Sequence, residues 1–240
     1  MANAIDAPGT SEAAWTGAGL SRLPDLDISG WTSAVILAAH PDDEVLGAGG
    51  IIARLAAAGA RLRVIAVTDG EASHPGHPDP AALARLRAAE RTRALLALGA
   101  GDAEVIRLGL PDTSLGGRPG ELADRLAGRT AGFDVCLAPW ESDVHADHEA
   151  VGRAARQLAG PAFFYPVWMW HWARPADPRV PWGQAVSVRL PPAAAERKRA
   201  AIGRFGSQLS ARAAAAPVLP AEFVAHFTRD YEVLFPVTRP

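Results

Sequence analysis

The sequence predicts an α/β protein: a mostly parallel sheet between two layers of helices. Three observations carry this. Strand-like and helix-like segments alternate over five repeats between Ala34 and Trp168, the order that sets parallel strands beneath crossover helices. The strand-like segments are short continuous apolar runs, as expected of strands buried on both faces. With 49% hydrophobic and 21% charged residues, the 240-residue chain has the composition of a globular protein and the length for one sizeable core.

Residues 1–30 are rich in Ala, Gly, Ser and Asp, show no sustained period, and read as a loose arm ahead of a single domain over 31–240. Ala34-Val35-Ile36-Leu37-Ala38-Ala39 is the first strand. Glu44 to Ala58 follows as a helix, with Gly59 suited to its C-terminal end. Leu62 to Val67 is the second strand, closed by Thr68-Asp69-Gly70. After a loop from Ser73 to Pro80, Ala81 to Leu98 is helical, with Leu83, Leu86, Leu95 and Leu98 near one face. Glu104 to Leu108 is a third strand, Glu121 to Gly128 a weaker helix, Asp134 to Ala138 a fourth strand, His145 or Ala146 to Leu158 a helix, and Ala162 to Trp168 a fifth strand. Beyond these, Ala185 to Leu190 is β-like, Ala193 to Leu209 helical, and Tyr231 to Phe235 a last strand or hairpin arm. No linker or internal repeat divides the chain.

Composition excludes several classes. The net charge of −2 leaves no basic excess for nucleic acid. A single cysteine, Cys136 in an apolar setting, rules out an internal disulfide and any Cys-rich zinc module. The N-terminus has no basic region followed by an apolar run, and no apolar stretch reaches the ~18 residues that span a bilayer. A cytoplasmic protein without stable membrane insertion is expected, its oligomeric state open.

In open α/β sheets, ligands bind beyond the carboxyl ends of the strands. The first strand is followed by His40-Pro41-Asp42-Asp43-Glu44, and the fourth by Glu141-Ser142-Asp143-Val144-His145-Ala146-Asp147-His148. Imidazole with carboxylate suits zinc, or another divalent metal such as iron(II). His40 and Asp43 are three apart at a strand-to-helix turn, and His145 and His148 are three apart on a helical first turn, so each pair can face one point. Three ligands with a further His and spare carboxylates make a hydrolytic set. Taken alone, Asp42-Asp43 reads equally well as a helix cap. Asp69 before Gly70, and Asp112 in a Leu-Pro-Asp turn, are candidates for substrate contact or for turn formation. Arg87 and Glu90 read as a helix surface or an inter-element ion pair. Trp168, Trp170 and Trp172 recur every second residue. If extended they share a face, serving either as core or as an aromatic wall for a sugar or lipophilic aglycone.

His40-Pro41-Asp42-Asp43-Glu44 together with His145-Ala146-Asp147-His148 resembles the PIG-L/LmbE family of metal-dependent N-deacetylases. Thr68-Asp69-Gly70, the pattern of Arg87, Glu90, Ala94 and Leu98-Gly99, and Lys198, Ala201 and Ser207-Gln208 extend the resemblance from Val35 to Gln208. It implies a Rossmann-like three-layer sandwich that removes acetyl from an N-acetylated amino sugar or its conjugate, a small-molecule partner. By the same resemblance, His40, Asp43 and His148 would hold zinc, or iron(II) or another divalent metal. Asp42 would be the general base on the metal-bound water. His145, oriented by Asp147, would stabilise the oxyanion or act as the acid. Whether Asp42 or His145 protonates the leaving amine stays open. An amidase acting on a thiol-sugar conjugate would use the same site.

Two rivals fit less well. A dinucleotide site needs G-x-G-x-x-G, but the glycines are Gly47, Gly49 and Gly50 with Ile52 in the last position, and Asp42, Asp43 and Glu44 would repel a phosphate. A metal-binding protein without turnover would tolerate loss of motif residues, and none is lost.

Overall fold

The computed structural model describes residues 5, 7–211 and 216–238. Its strands are β1 (Ser33–Ala38), β2 (Arg61–Ala66), β3 (Glu104–Arg107), β4 (Val135–Pro139), β5 (Ala162–Tyr165), β6 (Val186–Arg189) and β7 (Tyr231–Pro236). They form one sheet in the order β3-β2-β1-β4-β5-β7-β6. The first five are parallel, and β7 enters antiparallel between β5 and β6. Every residue of β1 is buried, as a continuous run of small and branched residues requires of a central strand.

The helices are α1 (Glu12–Thr16), α2 (Asp43–Ala57), α3 (Pro80–Leu98), α4 (Pro119–Leu126), α5 (Ala146–Gln157), α6 (Met169–Trp172), α7 (Pro192–Ile202), α8 (Gly206–Leu209) and α9 (Ala221–Val224). Right-handed crossovers decide the layers. The chain steps one way from β1 through α2 and α3 to β3, then back through α4 to β4 and onward through α5. Accordingly α2 and α3 pack together with α7, and α4 packs with α5. The direction of winding reverses between β1 and β4. This is where the loops after two adjacent strands diverge and leave a crevice.

The glycine run in α2 has a packing cause. A side chain on Gly47 would land in the Tyr165 ring. Ala48 has φ −139°, which breaks the helix, and the freed N–H groups of Gly50 and Ile51 donate to the buried carboxylate of Glu232 at 2.7 and 2.8 Å. Lys198 of α7 completes that cap at 2.7 Å.

Three expectations are corrected. Residues 11–28 are not a loose arm. Ser11 caps α1, Trp15 is fully buried, and its indole N–H donates to Trp170 O at 2.8 Å. Glu12 is gripped by His226 and Arg229 at 2.6 and 2.7 Å, and Ile28 joins the core. A segment anchored by one large side chain carries no period for a sequence to reveal. Second, β5 stops at Tyr165 and Trp168 leads into α6, so the three tryptophans point in different directions. Trp170 meets Trp15 edge-on at 5.1 Å and Trp172 stacks near Trp140 at 6.3 Å. Third, the late helix breaks after Ile202 and resumes only as α8. Among the described residues no helix is long and apolar enough to cross a membrane.

Trp15→Ala is expected to destabilise the protein by about 3–5 kcal/mol, the usual cost of emptying a buried aromatic site. Urea unfolding would show a lower midpoint. An unchanged midpoint would mean that α1 contributes nothing to the core.

Candidate metal centre and active site

The two motifs leave the carboxyl ends of β1 and β4 and meet across the crevice. His40 Nδ1 and His148 Nε2 stand 3.3 Å apart. Asp43 Oδ2 is 3.5 Å from His40 Nδ1, and its Oδ1 is 3.2 Å from His148 Nε2. Zinc ligands at about 2.0–2.1 Å in a tetrahedron lie about 3.3 Å from one another. Two imidazoles and one carboxylate at this spacing fit a divalent metal in both geometry and donor type. A looser set substitutes His145 for Asp43, its nitrogens with those of His40 and His148 lying within 4.8 Å.

Both close imidazoles rest their far nitrogens on carboxylates. His148 Nδ1 lies 2.7 Å from Asp143 Oδ2. His40 Nε2 lies between Asp112 Oδ1 at 3.1 Å and Asp147 Oδ2 at 3.3 Å. Such partners set the tautomer and the ring orientation of metal-binding histidines. The carboxylates are themselves held. Asp143 accepts N–H groups from Val167, Trp168 and Met169, and Asp147 from Thr113 and Leu115.

This placement changes the expected role of Asp147. It braces His40 and makes no hydrogen bond to His145, whose buried Nδ1 has no partner among the described residues. Burial, joined by the neighbouring His148 and His40, holds His145 down to about 3, so the ring is neutral at pH 7. Asp112 reaches the site by the same route. Burial raises its carboxyl, but the His40 hydrogen bond and charge, the Ala72 N–H and Arg87 together outweigh this and hold it at about 2. Asp69 is not in the pocket; it pairs with Arg107 of β3 at 2.7 Å. Trp170 lies in the core, and of the three tryptophans weighed as core or wall only Trp168 lines this cavity.

Asp42 has φ +145°, a region that favours glycine. It stands at the N-cap of α2 but its carboxylate makes no capping bond there, while Asp43 keeps the first-turn place that the helix dipole favours. Such backbone costs on the order of 1–3 kcal/mol and persists where its surroundings hold it. Arg87 of α3 does the holding. It is 3% exposed, and it donates to Asp42 Oδ2 at 3.1 Å, to Pro41 O at 2.9 Å and to Gly70 O at 2.9 Å. Gly70 is required beneath it: φ is +68° there, and a side chain would strike the guanidinium. Burial pushes Asp42 up to about 7, Arg87 pulling it down and Asp43 raising it. A carboxyl poised near neutrality suits proton transfer.

A cavity of about 120 Å³ opens onto these groups, with Leu46 and Trp168 on its walls. Two of its determinants were missed or misread in the sequence. Asp143 stands five residues before His148 in the same acidic loop, and nothing in the spacing distinguishes it from Glu141. Arg87 does form an inter-element ion pair, and its partner proves to be Asp42. Asp143→Ala should weaken metal binding by roughly 10- to 100-fold, as loss of a carboxylate behind a ligating histidine does. Competition against a chelator would measure it, and unchanged affinity would remove Asp143 from the site.

Residues 35–159 match the PIG-L family, GlcNAc-PI de-N-acetylase. A 1D-myo-inositol 2-acetamido-2-deoxy-alpha-D-glucopyranoside deacetylase from Kineococcus radiotolerans is 44% identical over 69 residues, which span 27% of this chain but only 19% of that protein. Among solved structures, the zinc-inhibited form of teicoplanin deacetylase Orf2 aligns with a TM-score of 0.64 at 18% identity, over 87% of this chain and 99% of that one. A 4-carboxy-2-hydroxymuconate hydratase from Pseudomonas putida KT2440 aligns with a TM-score of 0.58 at 18% identity, over 87% and 97%. Identities this low establish the fold. Because a hydratase shares it, the reaction has to be argued from the site.

Proposed function

The chain belongs to the PIG-L family, and from that premise we propose that it is a metal-dependent hydrolase removing acetyl from an N-acetylated amino sugar or its conjugate. The observation that carries this reading is the close set of His40, Asp43 and His148 with Asp42 beside it, pinned by Arg87. A divalent metal, zinc in our reading, with iron(II) as the alternative, held by His40, Asp43 and His148 would supply Lewis acidity and a water that ionises near neutral pH.

The chain's own residues account for the proton movements. Asp42 takes a proton from the attacking water as the oxygen adds to the acetyl carbon. Arg87 grips the carboxylate by one oxygen and keeps it in place. The carbonyl oxygen gains negative charge, and an N–H of neutral His145 is the side-chain donor at hand. Asp147, which could have made His145 a stronger base, is committed to His40. Asp42 then carries the only proton acquired in the first step and returns it to the amine nitrogen as the C–N bond breaks. Water is thereby divided between acetate and the amine, and Asp42 is regenerated.

The test is amine release from N-acetylglucosaminides by zinc- or iron(II)-reconstituted protein, over a panel running from the free sugar through inositol and lipid conjugates to a glycosylated aglycone. Acetate and amine appearing in equal amounts is the expected result. Metal binding without amine release from any of them would overturn the reading and point to another amide or to a different reaction on the same site.

A further inference from the structure

Gln208 belongs to the catalytic cavity but takes no part in the proton movements described above. It lines that cavity from α8 and is fully buried, yet its Oε1 has no hydrogen-bond partner among the described residues. A buried polar atom without a partner is uncommon and costs free energy until a partner arrives. The orientation of the amide follows from a chain of bonds anchored on α3. The buried carboxylate of Glu90 accepts the Ser207 N–H at 2.7 Å and the Ser207 hydroxyl at 2.6 Å. A hydroxyl has one proton to donate. Because that proton goes to Glu90, Ser207 Oγ can only accept from Gln208, and the group facing it at 2.8 Å is the amide nitrogen, Nε2. The carbonyl oxygen is the end left over, an acceptor held in place without a donor.

We propose that Gln208 Oε1 accepts the N–H of the scissile acetamide and so positions the leaving nitrogen. The inference rests on the deacetylase reading above and adds to it a residue that tells an amide from an ester. Three points favour the amide N–H as the missing donor. The first is the layering of the fold. His145 and His148 come from the start of α5, whereas Gln208 is tied to α3, in the opposite layer of helices. The N–H and C=O of a trans amide point in opposite directions, so a carbonyl directed at His145 turns its N–H toward the α3 side. The second is the neighbourhood of Asp42. Glu90 stands one turn along α3 from Arg87, which pins Asp42, so Gln208 and Asp42 both belong to the flank of the cavity that α3 supports. As the nitrogen becomes tetrahedral, its hydrogen and its lone pair diverge, and two groups on one flank can take one each. Gln208 holds the hydrogen, and Asp42 returns its proton to the lone pair. The third is that this N–H is the one donor the reacting group itself brings into the cavity.

The experiment compares the methyl glycoside of N-acetylglucosamine with the methyl glucoside acetylated on oxygen at the same carbon, where an ester oxygen replaces the N–H. Both are given to the metal-reconstituted wild type and to Gln208→Met. Methionine keeps the length of the side chain and removes the acceptor. The expected result is an acetamide-to-ester ratio of kcat/KM at least about tenfold lower in Gln208→Met than in the wild type, the effect of one well-placed hydrogen bond. A loss that falls equally on both substrates would overturn the proposal and assign Gln208 to the fold, to a buried water or to a sugar hydroxyl. An unchanged ratio overturns it as well. If Gln208→Met does not fold, Ser207→Ala carries the test, because it leaves the carbonyl in place and removes the group that orients it. The same ratio should then fall by about threefold or more; no change would overturn the proposal. If the wild type releases no amine from the acetamide, the deacetylase reading has failed, and calorimetric titration of the two glycosides decides the contact separately. Acetamide binding that Gln208→Met weakens at least about tenfold more than ester binding supports it. Equal weakening, or no binding of the acetamide, overturns it.

Discussion

Asp42→Asn should lower kcat by roughly 10²- to 10⁴-fold while leaving metal content unchanged, the range expected when a positioned proton-transfer group is removed. Asn keeps the shape of the side chain and an oxygen that accepts from Arg87, so the contacts to Pro41 O and Gly70 O survive. What it loses is the ability to take a proton. Asp42 must be ionised to act as a base, so kcat/KM of the wild type should fall on the acid side. That limb should vanish from the residual activity of Asp42→Asn. Steady-state kinetics over a pH series, with elemental analysis of the same samples, checks both parts. Full activity in Asp42→Asn would exclude it as the base and turn attention to His145.

The second large effect is expected from His148→Ala. It removes one of the three donors that face one another at 3.2–3.5 Å, so metal affinity should drop by more than the roughly 10- to 100-fold predicted for the carboxylate behind it. The variant also leaves Asp143 and Asp43 without the imidazole between them, both buried. Breaking such a buried pair costs about 3–5 kcal/mol, so thermal stability should fall as well. Equilibrium dialysis with zinc, on protein shown by circular dichroism to be folded, separates the two effects. Folded His148→Ala that retains metal at wild-type affinity would exclude both this set and the looser one with His145, since His148 belongs to each, and would leave His40 with Asp112 and Asp147 as the cluster able to hold it.

Much of the fold was legible because a central parallel strand must be apolar on both faces. Val35, Ile36 and Leu37 could hardly belong to anything else, and the five-fold alternation with helices left few topologies. The donor set was legible for a related reason. Chemistry at a sheet edge draws on residues immediately after strands, so His40, Asp43 and His148 appear at short, recurring spacings. Their partners were not. Asp112 is 72 residues from His40, and Arg87 is 45 residues from Asp42; pairings at such range leave no local pattern. The expectation that Asp147 orients His145 came from the family resemblance, whereas its carboxylate is claimed by the Thr113 and Leu115 amides and directed to His40.

The sequence by itself determined the α/β class, the family and the edge of the sheet where the chemistry lies, because strand burial, helix spacing and metal-donor spacing are local properties of the chain. Only the tertiary structure decided that residues 11–28 are built into the core, that Trp170 packs inward while Trp168 faces the cavity, and that Asp143, Asp112 and Asp147 brace the two histidines. Each depends on which distant backbone amide or ring fills the space beside a side chain. Packing at long sequence separation determines that.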